Sequence, residues 1–412
     1  MIRILFLIIP LFVYGDNLKE LMEIAENKND LVISKGYLQE SKSKELDSKN
    51  SAYFPTIDVG GFYKRDDDPS PLQPGDTLSG FAKISYDIYN GGKRSAESDQ
   101  AEYAFKASEF DTSAYKKSLS LQIAQDFFSI KSLEASLNAR KEAGESLQKQ
   151  LERTKSFYEA KMATSDDVDR VQADFDTNIY EMESMKFQIL SLQSGLSLKV
   201  GKQIDSLEDS SFHKSSSTEY ETLDATKALI SQNQSLKYGA EAIDSFYYPN
   251  IKIEDTYSLY AYDREDAKAA SFGASPLENQ NTLMLSLNFR VFDYGAIGDT
   301  KESVLLSSQA LNSQISYQNK EQKMQHALAI SRIKTSEIRI QSALSALNAA
   351  TSAFNTIEKK YNAGIVDYIV YLDALTKRTS SKALYESGLN ELEIAYAILY
   401  YYSGKNIKEE LQ

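Results

Sequence analysis

At a constant offset of 203 positions, the second half of this chain repeats the first. Ala107 matches Ala310, Lys117 matches Lys320, Gln122 matches Gln325, Ala124 matches Ala327, Tyr158 matches Tyr361, and Gly201-Lys202 matches Gly404-Lys405. The register holds without a gap over about 115 residues. One inserted residue in a helix rotates everything after it by about 100°, so an ungapped match of this length predicts one long helical hairpin in each half. Upstream, SAYFPTI (Ser51 to Ile57) matches SFYYPNI (Ser245 to Ile251) at an offset of 194. The change of offset falls between each proline and a glycine corner, where loops absorb extra residues.

The corners read YDIYNGGKRSAE (Tyr86 to Glu97) and FRVFDYGAIGDT (Phe289 to Thr300). Neither is a phosphate loop, because Asp87 and Arg94 occupy the Gly and Ser/Thr positions that such a loop needs around Gly92-Lys93. Each corner instead joins an alternating apolar run to a polar helix. Gly91, Gly92 and Gly295 permit a turn from tilted strand to helix that a Cβ would resist.

Between proline and corner each half carries two alternating segments, predicted as strands over 57–64, 78–89, 251–262 and 282–292. Ile57, Val59 and Tyr63 alternate with Asp58, Phe62 and Lys64, and Leu283, Leu285 and Leu287 alternate with Met284, Ser286 and Asn288. Strands of this length, tilted, cross a bilayer. The loops RDDDPSPLQPGDT (Arg65 to Thr77) and DREDAKAASFGASPLENQN (Asp263 to Asn281) are polar and rich in turn formers. Elsewhere a three-four apolar step runs through Ile130, Leu133, Leu137, Gly144, Leu147, Leu151, Thr154 and Tyr158, broken by Arg140. It recurs from Ile333 through Ile340, Leu347, Phe354 and Ile357 to Tyr361. This is coiled-coil spacing. The expected layout is a signal segment 1–15, a first repeat 16–205, a linker 206–220 and a second repeat 221–412.

The 412 residues include no Cys, no Trp and two His. Met1 to Gly15 places Arg3 before the apolar run Ile4 to Tyr14, the pattern of a cleaved export signal. There is then neither a disulfide framework nor a cysteine to lipidate. After Gly15 no apolar run reaches the length of a spanning helix, so a β-barrel is the one spanning structure left. A net charge of -13 argues against nucleic acid as a partner. His213 and His326 stand in different elements without companions, which offers neither a metal site nor a general base, and no cofactor is expected. The acidic run Asp66 to Asp68 reads as a solvated loop. No acid, base and nucleophile converge, so the chain is not read as an enzyme. The rival class is a secreted or surface coiled-coil adhesin, which would have no need of four membrane-length strands.

Four strands cannot close a barrel whose backbone must be fully paired in lipid, so copies must share one. Two chains would give eight strands and a filled lumen, whereas three would give twelve and room for a channel. The duplicated layout, the proline before each strand pair, the glycine corners and the tips FYEAKMATSDDVDRV (Phe157 to Val171) and KKYNAGIVDYIVYLDAL (Lys359 to Leu375) together resemble the TolC-like outer membrane factors of Gram-negative bacteria.

The resemblance implies an α+β membrane protein: long helical hairpins forming a periplasmic α-barrel, and four strands per chain contributing to a trimeric twelve-stranded barrel in the outer membrane. It further implies work with a periplasmic adaptor and an inner-membrane transporter in efflux or type I secretion. The family's gate residues map to Tyr361 and Asp167, and its narrower charged ring to Asp373. Val366 stands where the family has an Arg and Val370 where it has a second ring Asp, which weakens the expected latch and the expected cation selectivity. The family's tip glycine is kept as Gly364, and Lys161 replaces it in the first hairpin. Ala160, Lys161, Met162 and Ala163 with Ala363, Gly364 and Ile365 are expected to meet the adaptor's helical hairpin, which needs low bulk beside apolar anchors.

Overall fold

The computed structural model describes residues 16–68, 75–214, 219–263 and 277–412. The expected signal segment and the middles of both long loops lie outside these residues, as does part of the linker. The helices are α1 (Leu18–Lys28), α2 (Asp30–Ser51), α3 (Lys93–Glu159), α4 (Ser165–Val200), α5 (Asp224–Asp244), α6 (Ala296–Asn362) and α7 (Tyr368–Tyr402). The strands are β1 (Thr56–Arg65), β2 (Asp76–Asn90), β3 (Asn250–Asp263) and β4 (Asn279–Asn288). Helices α3 and α6 are each 67 residues long, about 100 Å of helix, and they start 203 positions apart. Among the described residues no helix is long and apolar enough to cross a membrane.

The chain forms two compact units. One comprises Met1–Tyr37, Phe110–Thr226 and Tyr317–Gln412, the other Leu38–Glu109 and Lys227–Ser316. In the first, α1 turns Leu18, Leu21, Met22 and Ala25 into a core with Phe127, Phe128, Leu196 and Tyr400. The linker is stitched to both ends of the described chain by bridges pairing Asp16 with Leu207 and Phe212 with Leu411. The ring of Phe212 lies 5.9 Å from those of both Phe128 and Tyr400. Asn29 ends α1 and starts α2, its side-chain oxygen accepting from the Leu31 and Val32 amides. Arg140, which interrupts the apolar step, pairs with Glu181 of α4. Gly144 lets Asn178 approach where a Cβ would stand 2.7 Å from its amide nitrogen.

The second unit holds one antiparallel sheet in the order β1-β2-β3-β4. Ile57, Ile84, Asp255 and Leu283 stand in one row, followed by Val59, Ala82, Tyr257 and Asn281 in the next row on the same face. The other face carries the intervening rows, such as Asp58, Lys83, Thr256 and Thr282. The period of two therefore divides the sheet into an apolar and a polar side. The apolar side is uncovered, with Val59, Leu283 and Leu285 all exposed. Among the described residues β1 pairs only with β2, and β4 only with β3, so both edges carry unpaired backbone groups. Strand β4 stops at Asn288 and not at the expected 292. Its partner β3 begins at Asn250, directly after Pro249, which has no N–H to donate.

Candidate functional site

Both hairpins reverse through the same local structure. The last turn of α3 closes with the Lys161 amide donating to the Tyr158 carbonyl (2.9 Å) and the Met162 amide to Phe157 (2.7 Å). At the end of α6 the Gly364 amide donates to Tyr361 (3.0 Å) and the Ile365 amide to Lys360 (2.9 Å). This paired bonding is the Schellman motif, whose pivot residue needs a left-handed backbone. Lys161 has φ 59° and Gly364 φ 71°. A Cβ at Gly364 would meet no atom within 4 Å, so the cost of a side chain there is conformational, about 1 kcal/mol. Lys161→Gly should stabilise the protein against chemical denaturation and Gly364→Ala should destabilise it, each by about 0.5–1 kcal/mol. Equal signs at the two positions would contradict this.

After each pivot a capped helix begins. Thr164 and Asp167 form a capping box: the Asp167 amide donates to the Thr164 hydroxyl (3.3 Å) and the Asp167 carboxylate accepts from the Thr164 amide (2.9 Å). Those bonds hold the Asp167 carboxyl below its ordinary range. Its contribution to the start of α4 is therefore present at neutral pH and is lost as pH falls through the depressed value. In the second hairpin Asp367 caps α7, accepting from the Val370 amide at 3.1 Å. The remaining tip residues Ala160, Met162, Ala363 and Ile365 are exposed, and Ala163 is half-buried.

Tyr361 is not joined to Asp167. Its hydroxyl accepts from Gln150 Nε2 of α3, and its ring lies 5.2 Å from the Arg153 guanidinium. Arg153 also donates to Asn362, to the side-chain oxygen at 2.6 Å and to the carbonyl at 3.3 Å, and lies 5.2 Å from the Phe157 ring. An arginine from the opposite hairpin, Arg153, thus grips the α6 terminus. Behind it, Tyr361 stacks on Tyr371 at 4.8 Å. Burial pushes the Tyr371 hydroxyl up to about 12. The Tyr368 hydroxyl, also raised chiefly by burial, donates to Asp174 of α4 at 2.9 Å. The cluster therefore stays protonated and able to donate through physiological pH.

Asp373 lies in the second turn of α7, exposed, on the side away from buried Tyr371, Ala374 and Leu375. Among the described residues no salt bridge joins it to Lys377. The clamp residues Gln150, Arg153 and Asn362 were missed by sequence reasoning, although Arg153 and Phe157 at i, i+4 were visible as a helix-surface pair. His326 is buried under Tyr220, ring centroids 5.0 Å apart, and burial lowers its pKa.

At the corners Gly91, Gly92 and Gly295 have φ of 68°, 82° and 89°. A Cβ on Gly91 would lie 2.6 Å from the Ser245 carbonyl oxygen. Tyr294, the counterpart of Gly91 in the second repeat, takes φ 58° despite its side chain, in an exposed setting where its ring packs against Phe292 at 4.6 Å.

Residues 22–190 match the family model described as outer membrane efflux protein. The chain is 22% identical over 419 residues to the outer membrane protein TolC of Vibrio cholerae, covering 94% of this chain and 91% of that protein. In fold it is similar to the Campylobacter jejuni CmeC outer membrane channel, with a TM-score of 0.83, 14% identity, and 94% and 85% of the two chains covered. It is likewise similar to the outer membrane protein VceC of Vibrio cholerae, with a TM-score of 0.79, 14% identity, and 95% and 96% covered. With the duplicated hairpins and the four-stranded sheet on the page, these matches agree with one another: residues 22–190 carry the outer membrane efflux protein pattern, and the fold of the chain is similar to that of TolC-like outer membrane channels.

Proposed function

We propose that this protein is the outer membrane channel of a tripartite efflux or type I secretion assembly, built from three copies of the chain. The observation that carries the reading is the sheet: four strands with one apolar uncovered face and two unpaired edges. In lipid those edges must be paired, and joining β4 of one copy to β1 of the next closes twelve strands without altering any register within the chain. The apolar side then faces lipid and the polar side the lumen. The helical hairpins are assigned to the periplasm, with tips that meet an adaptor and its inner-membrane pump. Exposed small and apolar tip residues beside a rigid clamp support that contact.

The test is assembly and topology together. Outer membrane fractions should yield a heat-modifiable, trimer-sized species, and a cysteine placed at Gly364 should resist an impermeant thiol reagent on whole cells. Monomers only, or labelling at Gly364, would overturn the reading.

One residue offends the lipid-facing side. Asp255 is flanked in its row by Ile84 and Leu283, and its Oδ1 has no hydrogen-bond partner among the described residues. A carboxyl there is unfavourable at membrane depth. Asp255→Leu should therefore raise the stability of the folded barrel in vesicles by about 1–2 kcal/mol per chain, read from the urea midpoint. An unchanged or lower midpoint would show that the carboxyl is satisfied in the assembly.

A further inference from the structure

The polar face of the sheet is divided along its length. Among the paired strand residues, three rows nearest the helical end hold the acidic side chains of this face: Asp58 beside Lys83, Glu254 one row below, and Asp87 beside Lys252 in the row after that. None of these rows carries an aromatic ring. Both lysines are drawn to Glu254, at 3.7 Å from Lys83 and 3.0 Å from Lys252. Asp58 and Asp87 are left without a salt bridge among the described residues, so three carboxylates against two ammonium groups leave one negative charge per chain.

The next three rows outward are aromatic. Gly60 pairs with Phe81; Phe62, Ser79 and Tyr260 form the following row; and Tyr262 stands with Lys64 and Thr77 beyond it. Lys64 is neutralised by Asp66 at 2.8 Å. Gly60 has no side chain because Phe81 lies flat across it: a Cβ there would be 2.6 Å from the Phe81 Cζ. The rings of Tyr260 and Tyr262 are nearly parallel, 10° apart with centroids at 6.0 Å. Ser79, set between Phe62 and Tyr260, is only 3% exposed although no other chain covers the sheet.

We propose that these four rings form a collar in the outer half of the lumen that stacks planar aromatic cations, drawn in by the acidic rows beneath. This rests on the channel reading above, since the polar face lines a lumen only in the closed barrel. A flat ring face attracts a desolvated cation and stacks on a planar one. The negative rows raise the local concentration of cations over anions at the collar. Three copies place twelve rings in a band three rows deep around the lumen, so a permeant meets several at once.

The test uses the full chain reconstituted in planar bilayers, with N-methylacridinium as probe, tetramethylammonium as the non-aromatic cation and pyrenesulfonate as the aromatic anion. N-methylacridinium should half-block the open current at a concentration about tenfold lower than either comparison ion. Phe62→Leu with Phe81→Leu should raise that concentration about five- to tenfold. Tyr257→Leu, on the lipid-facing side, should leave it unchanged. If the double variant does not insert, Gly60→Ala displaces the Phe81 ring without removing it and should also weaken block. Equal block by the double variant, or equal loss in Tyr257→Leu, would overturn the collar while leaving the channel standing. A wild-type chain that gives no conductance would instead remove the channel reading and the collar with it.

Discussion

Replacing Arg153 with alanine should leave the trimer assembled and raise the resting conductance of the reconstituted channel at least about tenfold. Arg153 holds the end of α6 by two hydrogen bonds to Asn362 and lies against Phe157 and Tyr361. Hydrogen bonds from a charged donor are worth about 1.5–3 kcal/mol when buried. This pair is exposed, so about 1 kcal/mol remains after screening, and the ring contacts add about 0.5–1 kcal/mol. A loss of about 1.5–2 kcal/mol per chain shifts a closed-open equilibrium by tenfold or more. Lysine should rescue poorly, because it lacks the planar fork that reaches both Asn362 oxygens. Gln150→Leu should act in the same direction by freeing the Tyr361 hydroxyl. An assembled Arg153→Ala trimer with unchanged conductance would show that the clamp braces the tip without gating it.

Much of the architecture was legible in the sequence because it rests on strictly local periodicities. The constant offset of 203 required two equal helices, and α3 and α6 have equal lengths. Glycines at the corners and at the second tip marked left-handed backbone. Tyr294 and Lys161 hold the same conformation and could be inferred only by transferring the repeat, since neither residue type announces a positive φ. The end of β4 was not legible, because an alternating run such as Phe289 to Phe292 continues past the point where its partner strand begins. The clamp was hidden for a different reason. It joins residues 209 apart in sequence, Arg153 and Asn362, and each alone is an ordinary polar residue on a helix surface. The family pattern directed attention to the position of Val366, whereas the cation lies on the facing hairpin. No periodicity within either helix records a contact made between the two.

Asp373→Asn should lower the cation selectivity of the resting channel and relieve block by divalent ions, with assembly unaffected. Asp367, its acidic neighbour nearest the tip, is engaged as the cap of α7, which leaves Asp373 as the first exposed carboxylate beyond the turn. Tyr371, Ala374 and Leu375 turn into the protein, and this orients Asp373 to the opposite side of the helix. In the proposed trimer that side would supply three carboxylates at one level, a ring that would attract cations and bind divalent ions more tightly than monovalent ones. Val370, one turn nearer the tip, adds no charge. Lys377, one turn further along, does: it stands about 6 Å from Asp373 along the axis, and no salt bridge joins the two among the described residues. The two positions should therefore act with opposite sign. Lys377→Gln should raise cation selectivity where Asp373→Asn lowers it, each by a factor of a few in the permeability ratio. If the two instead formed a neutral pair in the groove between helices, both substitutions would leave selectivity near its starting value. Single-channel reversal potentials in a salt gradient separate these outcomes, and unchanged potentials in both assembled variants would remove Asp373 from the pore.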